Sequence, residues 1–238
     1  MEKEKSMKKQ KNVVKMILFI MLLTMCMCVP VNAAKLKSGA YVYTTKTTGS
    51  FGKEKTTIYK QRSGSKKKKL ITVSGRVDKL HYVYSNKLYY TRSYGTSAPS
   101  PFKVEVLNLK NNRRSVLTEN LEIVGHRGRY ALVTPCNDAW IQPLYIIDMK
   151  TKKTKWIANN VLYGASNIMK NGKIYYLKCN EYNYKTGKLK YAMYSCKKDG
   201  SGKKCLKTFS SNATNSIKIT DKYIVLGGYG MKNKTYRY

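Results

Sequence analysis

Short runs that alternate apolar or aromatic residues with polar ones return along this chain at a nearly constant interval. They begin at Tyr41, Leu88, Ala131, Ile174 and Tyr223, so successive starts lie 47, 43, 43 and 49 residues apart. After each of the first four comes a second run, at 57–60, 103–107, 144–148 and 191–194. A tight polar turn follows (62–65, 110–113, 150–153, 198–202), then a third run ending on Leu70, Leu117, Ile157 or Leu206. A further run precedes each later repeat, at 76–84, 121–125, 161–169 and 216–220. The Gly, Asn and Asp residues of these turns are hairpin chemistry, because they reach positive φ at low cost.

After residue 33 the pattern has period two, and no stretch of a dozen residues shows helical spacing. Four short strands per unit, repeated every 40–50 residues, mark the blades of a β-propeller. Such sheets cover one another's faces and leave only short edges. A two-sheet β-sandwich would use the same strands but gives no reason for the spacing. The expected fold is therefore all-β and propeller-like, with about five four-stranded blades near 35–73, 74–120, 121–160, 161–210 and 211–238. Lys35 to Ala40 look too few and too polar for a leading strand, and the last unit stops in its third. First and last blades are thus expected to be incomplete, for 18 strands in all.

Residues 1–33 differ in kind. Five lysines and two glutamates stand in the first twelve positions, and Met16 to Val29 carry no charge. A run of this length is a signal-peptide h-region and falls short of the ~20 apolar residues of a spanning helix. Val31 and Ala33 supply small residues for a cut after Ala33, so 1–33 reads as a signal-peptide helix and 34–238 as a secreted domain, with association to the cell surface as the further expectation. An uncleaved anchor is the alternative. Cys26 follows a bulky Met25, which argues against a lipoprotein site.

Charge narrows the partners. The chain has 47 Lys and Arg against 12 Asp and Glu, a net of +35. Residues 1–33 hold six of the lysines and two of the glutamates, which leaves a net of +31 for the remainder. Such a domain attracts polyanions. Export favours anionic cell-envelope polymers, or another envelope protein, over nucleic acid. The candidate polyanion-binding residues are Lys66, Lys67, Lys68 and Lys69, the longest basic run, with Lys203 and Lys204. A plain solvated lysine coat explains the same runs.

The fourth unit carries a resemblance. Gly172-Lys173-Ile174-Tyr175-Tyr176, then Met193-Tyr194-Ser195-Cys196 running into Asp199-Gly200-Ser201-Gly202-Lys203-Lys204-Cys205-Leu206, is similar to the low-density-lipoprotein-receptor-like β-propeller repeats of exported Gram-positive bacterial proteins. The other units keep the aromatic and aliphatic positions and lose the Asp-Gly turn. The resemblance implies a propeller, often one of unknown function, and no activity or site residue.

Export permits disulfides. With the 198–202 turn centred between Gly200 and Ser201, Cys196 and Cys205 would face each other and are the candidate pair. Cys136 and Cys179 read as small buried thiols. His81 and His126 stand apart from Cys or acid at ligand spacing, so no metal or other cofactor is expected. No nucleophile elbow and no distinguished acid pair occurs. Trp140, Tyr182 and Tyr184, with Tyr163, are candidate aromatic recognition residues on loops. The expected function is a non-enzymatic exported binding or scaffold module. A cell-envelope hydrolase with its site in the propeller funnel, and a truncated or degenerate paralogue, are the alternatives.

Overall fold

The computed structural model describes residues 33–94, 102–135, 139–183, 185, 188–212, 216–220, 222–228 and 231–237. Met1–Ala33 and Ala34–Tyr238 separate into two units, and the second is described below. The expected signal peptide, Cys136 and Tyr184 lie outside the described residues.

The first sheet is β1 (Lys35–Ser38), β2 (Tyr41–Thr48), β3 (Lys55–Arg62) and β4 (Lys68–Ser74), paired in that order. The second is β5 (Arg76–Tyr84), β6 (Lys87–Ser93), β7 (Phe102–Asn108) and β8 (Arg114–Glu119). A seven-stranded sheet follows: β9 (Leu121–Arg127), β10 (Tyr130–Pro135), β11 (Ile141–Asp148), β12 (Thr154–Ile168), β13 (Ile174–Asn183), β14 (Lys188–Cys196) and β15 (Lys204–Asn212). The last sheet is β16 (Ser216–Ile219), β17 (Tyr223–Gly228) and β18 (Met231–Arg237). All pairings are antiparallel between consecutive strands.

The seven-stranded sheet is two blades sharing one strand. β12 pairs with β11 from Thr154 to Leu162, and with β13 at Val161 and again from Ser166 to Ile168. The expected unit boundary at 160/161 therefore falls inside a continuous strand. Each of the first three blades is joined to the next by a single left-handed residue between outer and inner strand: Gly75 (φ 82°), Asn120 (φ 56°) and Asn160 (φ 56°).

Four cores lie between successive blades. Tyr43, Ile58 and Val73 of the first meet Leu80, Leu88 and Tyr90 of the second. Tyr89, Val104 and Val106 meet Ile123, Ala131 and Val133 of the third. Leu144, Ile146 and Ile157 meet Ile168, Ile174 and Tyr176 of the fourth. Leu177, Tyr191 and Phe209 meet Ile219 and Ile224 of the fifth. Period two explains why middle strands are apolar throughout. Tyr89 points to one neighbouring blade and Tyr90 to the other, and both are buried.

The first blade differs from expectation in having its leading strand. Lys35 pairs with Thr44 and Ser38 with Tyr41. A strand added to a sheet edge is held by backbone hydrogen bonds, so it needs little apolar sequence; only Ala34 and Leu36 reach the core. Thr45 extends the junction by donating its N–H to the Ala34 carbonyl (3.1 Å), while its Oγ1 accepts from the Ala34 N–H (2.9 Å).

Candidate binding surfaces

Antiparallel blades put their connections at two ends. The turns between first and second strands, and between third and fourth, share one end, called here the turn end. The loops between second and third strands share the other end with the blade-to-blade corners, called the corner end. The acidic side chains are unequally divided between the ends, whereas lysines (Lys53, Lys79, Lys103 and Lys190 at the corner end among them) occur at both. Among the described residues, Glu54, Asp78, Glu119, Glu122 and Glu181 lie toward the corner end, whereas Asp148 and Asp199 lie at the turn end. Lys66 to Lys69, Lys110, Lys150, Lys152, Lys153, Lys197, Lys198, Lys203 and Lys204 sit in or beside the turns.

At the turn end, the 197–203 turn of the fourth blade lies against the third. An added Cβ at Gly200, whose φ is 80°, would stand 3.5 Å from the Trp156 carbonyl oxygen. The turn is held by Asp199, whose Oδ1 accepts from the Ser201 N–H (3.0 Å) and the Ser201 hydroxyl (2.7 Å). Those two bonds hold the Asp199 carboxyl below its ordinary range, aided by the charges of Lys155 and Lys197. The turn then presents two ammonium groups to two rings. Lys198 Nζ sits 4.5 Å above the centre of Tyr130, and Lys203 Nζ 4.3 Å above that of Trp156. Trp156 is itself fixed by donating its indole N–H to Asn159 Oδ1 (3.0 Å).

Arg129 also reaches Tyr130, and it grips Asp148 with both ends of its guanidinium, Nε lying 2.6 Å from Oδ1. That grip, with backbone N–H groups of Lys150 and Thr151, holds the Asp148 carboxyl well below the usual carboxylate range. Among the described residues, both carboxylates of this end are thus committed within their own blades. The Lys198 and Lys203 ammoniums are positioned by aromatic faces, which orient a cation without cancelling its charge.

Several expected residues fall into place and others do not. Lys203 and Lys204 are exposed beside this patch. Lys66 to Lys69 are exposed at the same end, but on the first blade, three blades from Lys203 and Lys204, so the two runs do not form one patch. Trp140 is 55% exposed. Tyr182 is a correction: it is partly buried against the core between the fourth and fifth blades, because β13 extends beyond its position. Tyr130, Trp156, Lys198 and Arg129 were not anticipated. Alignment of the turns by repeat would have flagged Lys198; the rings under it come from the neighbouring blade and carry no such signal.

The expected Cys196–Cys205 bond is also corrected. Tyr194 opposes Cys205 and Ser195 opposes Lys204, after a bulge between Met193 and Tyr194. The hairpin is centred between Asp199 and Gly200, one residue earlier than expected, so the two thiols do not face each other. Both are free, Cys196 buried and Cys205 exposed. Burial pushes the Cys196 thiol up to about 11. Cys179 is free and buried.

At the corner end, a cleft of about 390 Å³ is bordered by the inner strands β5 and β9. Arg76 Nε meets Asp78 Oδ1 at 2.6 Å, and Lys79 Nζ meets Glu122 Oε1 at 3.4 Å. The Tyr163 hydroxyl of β12 donates to the other oxygen of Glu122. Among the described residues no group of three or more His, Cys, Asp and Glu could hold a metal. His81 shares a hydrogen bond with the Thr91 hydroxyl (2.7 Å), and His126 stacks on Tyr82 with ring centres 3.7 Å apart.

No family model and no curated protein matches the sequence. Solved structures share the fold. The β-propeller domain of the Trilobed protease from Pyrococcus furiosus superposes with a TM-score of 0.57 at 14% identity, over 87% of this chain and 68% of that one. An oligogalacturonate lyase crystallised with manganese gives 0.54 at 9%, over 82% of this chain and 58% of its own. The Pyrococcus horikoshii acylaminoacyl peptidase gives 0.53 at 14%, over 88% and 38%. The chain thus spans about two thirds of the first and less of the other two. At these identities the likeness is one of fold: this is a β-propeller scaffold.

Proposed function

We propose that this domain is an exported, non-enzymatic binding module whose turn end docks on an anionic cell-envelope polymer. The observation that carries the reading is the seating of Lys198 and Lys203 on Tyr130 and Trp156. Their charge is held in place, among the described residues neither makes an ion pair, and Asp148 and Asp199 are used within their own blades. A net of +31 over the domain supplies the long-range attraction, and the patch supplies fixed points of contact.

Retention on purified cell walls, and on polyphosphate as a defined probe, tests this. Binding should fall steeply with added salt, since each phosphate contact releases counterions. Lys198→Gln with Lys203→Gln should weaken binding and flatten the salt dependence, while Lys66→Gln with Lys67→Gln should do so less. Retention that ignores salt, or that survives loss of both seated lysines unchanged, would overturn the reading.

A further inference from the structure

The corner end carries a second surface that the polyanion reading does not use. Tyr163 donates its backbone N–H to the Trp140 carbonyl (2.8 Å), which continues the register in which Ile141 pairs with Leu162. Trp140 and Tyr163 are therefore opposed across an antiparallel pair and share a face, opposite to the one that buries Leu162. Both rings remain open, at 55% and 48% exposure. Tyr163 is tethered through its hydroxyl to Glu122, and Glu122 also lines the cleft between the second and third blades. An aromatic platform thus leads directly into a polar cleft.

The cleft is electrically balanced. Arg76 pairs with Asp78 and Lys79 with Glu122, so its fixed charges cancel within a strongly basic domain. Thr91 and Ser93 add hydroxyls, and Phe102 adds an apolar wall. About 390 Å³ lies within the ~300–1,000 Å³ of small-molecule sites. A charged ligand would have to break one of these pairs to find its counter-charge. A neutral polyhydroxylated ring would instead place a C–H face on the rings and its hydroxyls against ready donors and acceptors.

From this we infer that the corner end is a binding site for a neutral saccharide, with Trp140 and Tyr163 as the stacking platform and Glu122 as the hydroxyl-binding carboxylate. The site is independent of the polyanion patch at the opposite end.

The protein's two tryptophans allow the two sites to be read separately, because Trp140 belongs to the corner end and Trp156 to the turn end. In ¹⁵N-labelled protein, chitotetraose or maltotetraose at millimolar concentration should shift the Trp140 indole signal saturably and leave that of Trp156 in place. The apparent Kd should not change with salt. Trp140→Ala, at an exposed position, should weaken binding of the tetrasaccharide at least tenfold, read from backbone amide shifts of β9 and β12, with the Trp156 signal reporting that the fold is intact. Glu122→Gln should weaken it as well. No shift of Trp140 with either tetrasaccharide would overturn the proposal. A shift produced by tetralysine or tetraglutamate and not by the sugars would overturn it too. Polyphosphate acting on Trp156 in the same sample keeps the outcome separate from that of the polyanion reading.

Discussion

Glu105 shows how a single residue joins two blades. It is buried, which by itself would raise its pKa, but hydrogen bonds from Arg92 and Tyr90 and the charges of Arg92 and Arg114 outweigh burial and hold it below the ordinary value. Arg92 Nη2 and the Tyr90 hydroxyl each lie 2.7 Å from its oxygens. Arg92 also donates to the Ser74 carbonyl (2.8 Å), the last residue of the preceding blade. Glu105→Ala strands a guanidinium in the interface and should cost about 3 kcal/mol, read as a lowered denaturation midpoint with an unchanged m-value. His81 gives a pH signature. Burial, with the Lys79 and His126 charges, lowers its pKa to about 3. The folded imidazole is therefore neutral while the unfolded one takes up a proton below ~6.5. Its contribution is fully present above that pH and is lost as pH falls toward 3. Tm should decline from pH 7 to 5, and the decline should be shallower in His81→Gln.

Strand alternation was the most readable property at the level of elements. The tyrosines at 43, 89, 90, 176 and 191 are buried between blades as the alternating pattern implies. The turns at 62–65 and 110–113 stand where their Gly and Asn residues predicted, with positive φ at Gly64 and Asn112. The corners were less readable, because one residue suffices to turn a chain from one blade into the next. Gly75 is the tightest of them: with φ 82°, an added Cβ would approach the Ser93 carbonyl oxygen to 2.4 Å. Gly75→Ala should therefore destabilise by about 2–3 kcal/mol through backbone strain and the clash, measured by thermal or denaturant unfolding. The leading strand β1 was missed since its stability comes from the edge it joins. The cysteine register was missed since the residue order of a five-residue turn does not say which residue pair it is centred on.

For the molecule as a whole, the antiparallel connection rule separates the turns that carry the ring-seated Lys198 and Lys203 from the corners that carry most of the described acids. A domain polarised in this way should bind a polyanion in one orientation. With polyphosphate bound, acrylamide quenching of Trp156 should fall while that of Trp140 stays unchanged; equal protection of both would contradict a single orientation. Adding a neutral tetrasaccharide should protect Trp140 with the polyanion still in place.

Residue order by itself determined the strands, their repeat, the basic charge and the hairpin turns, because each depends on neighbours within about ten positions. It therefore also determined the propeller class. Tertiary structure alone decided that Lys198 and Lys203 rest on Tyr130 and Trp156, that Glu122 lies between Lys79 and Tyr163, and that Cys196 and Cys205 stay apart. Most of those contacts join different blades, at separations set by the corners and by the packing between sheets, and the thiols are separated by the register that one turn sets. No local pattern encodes either kind of geometry.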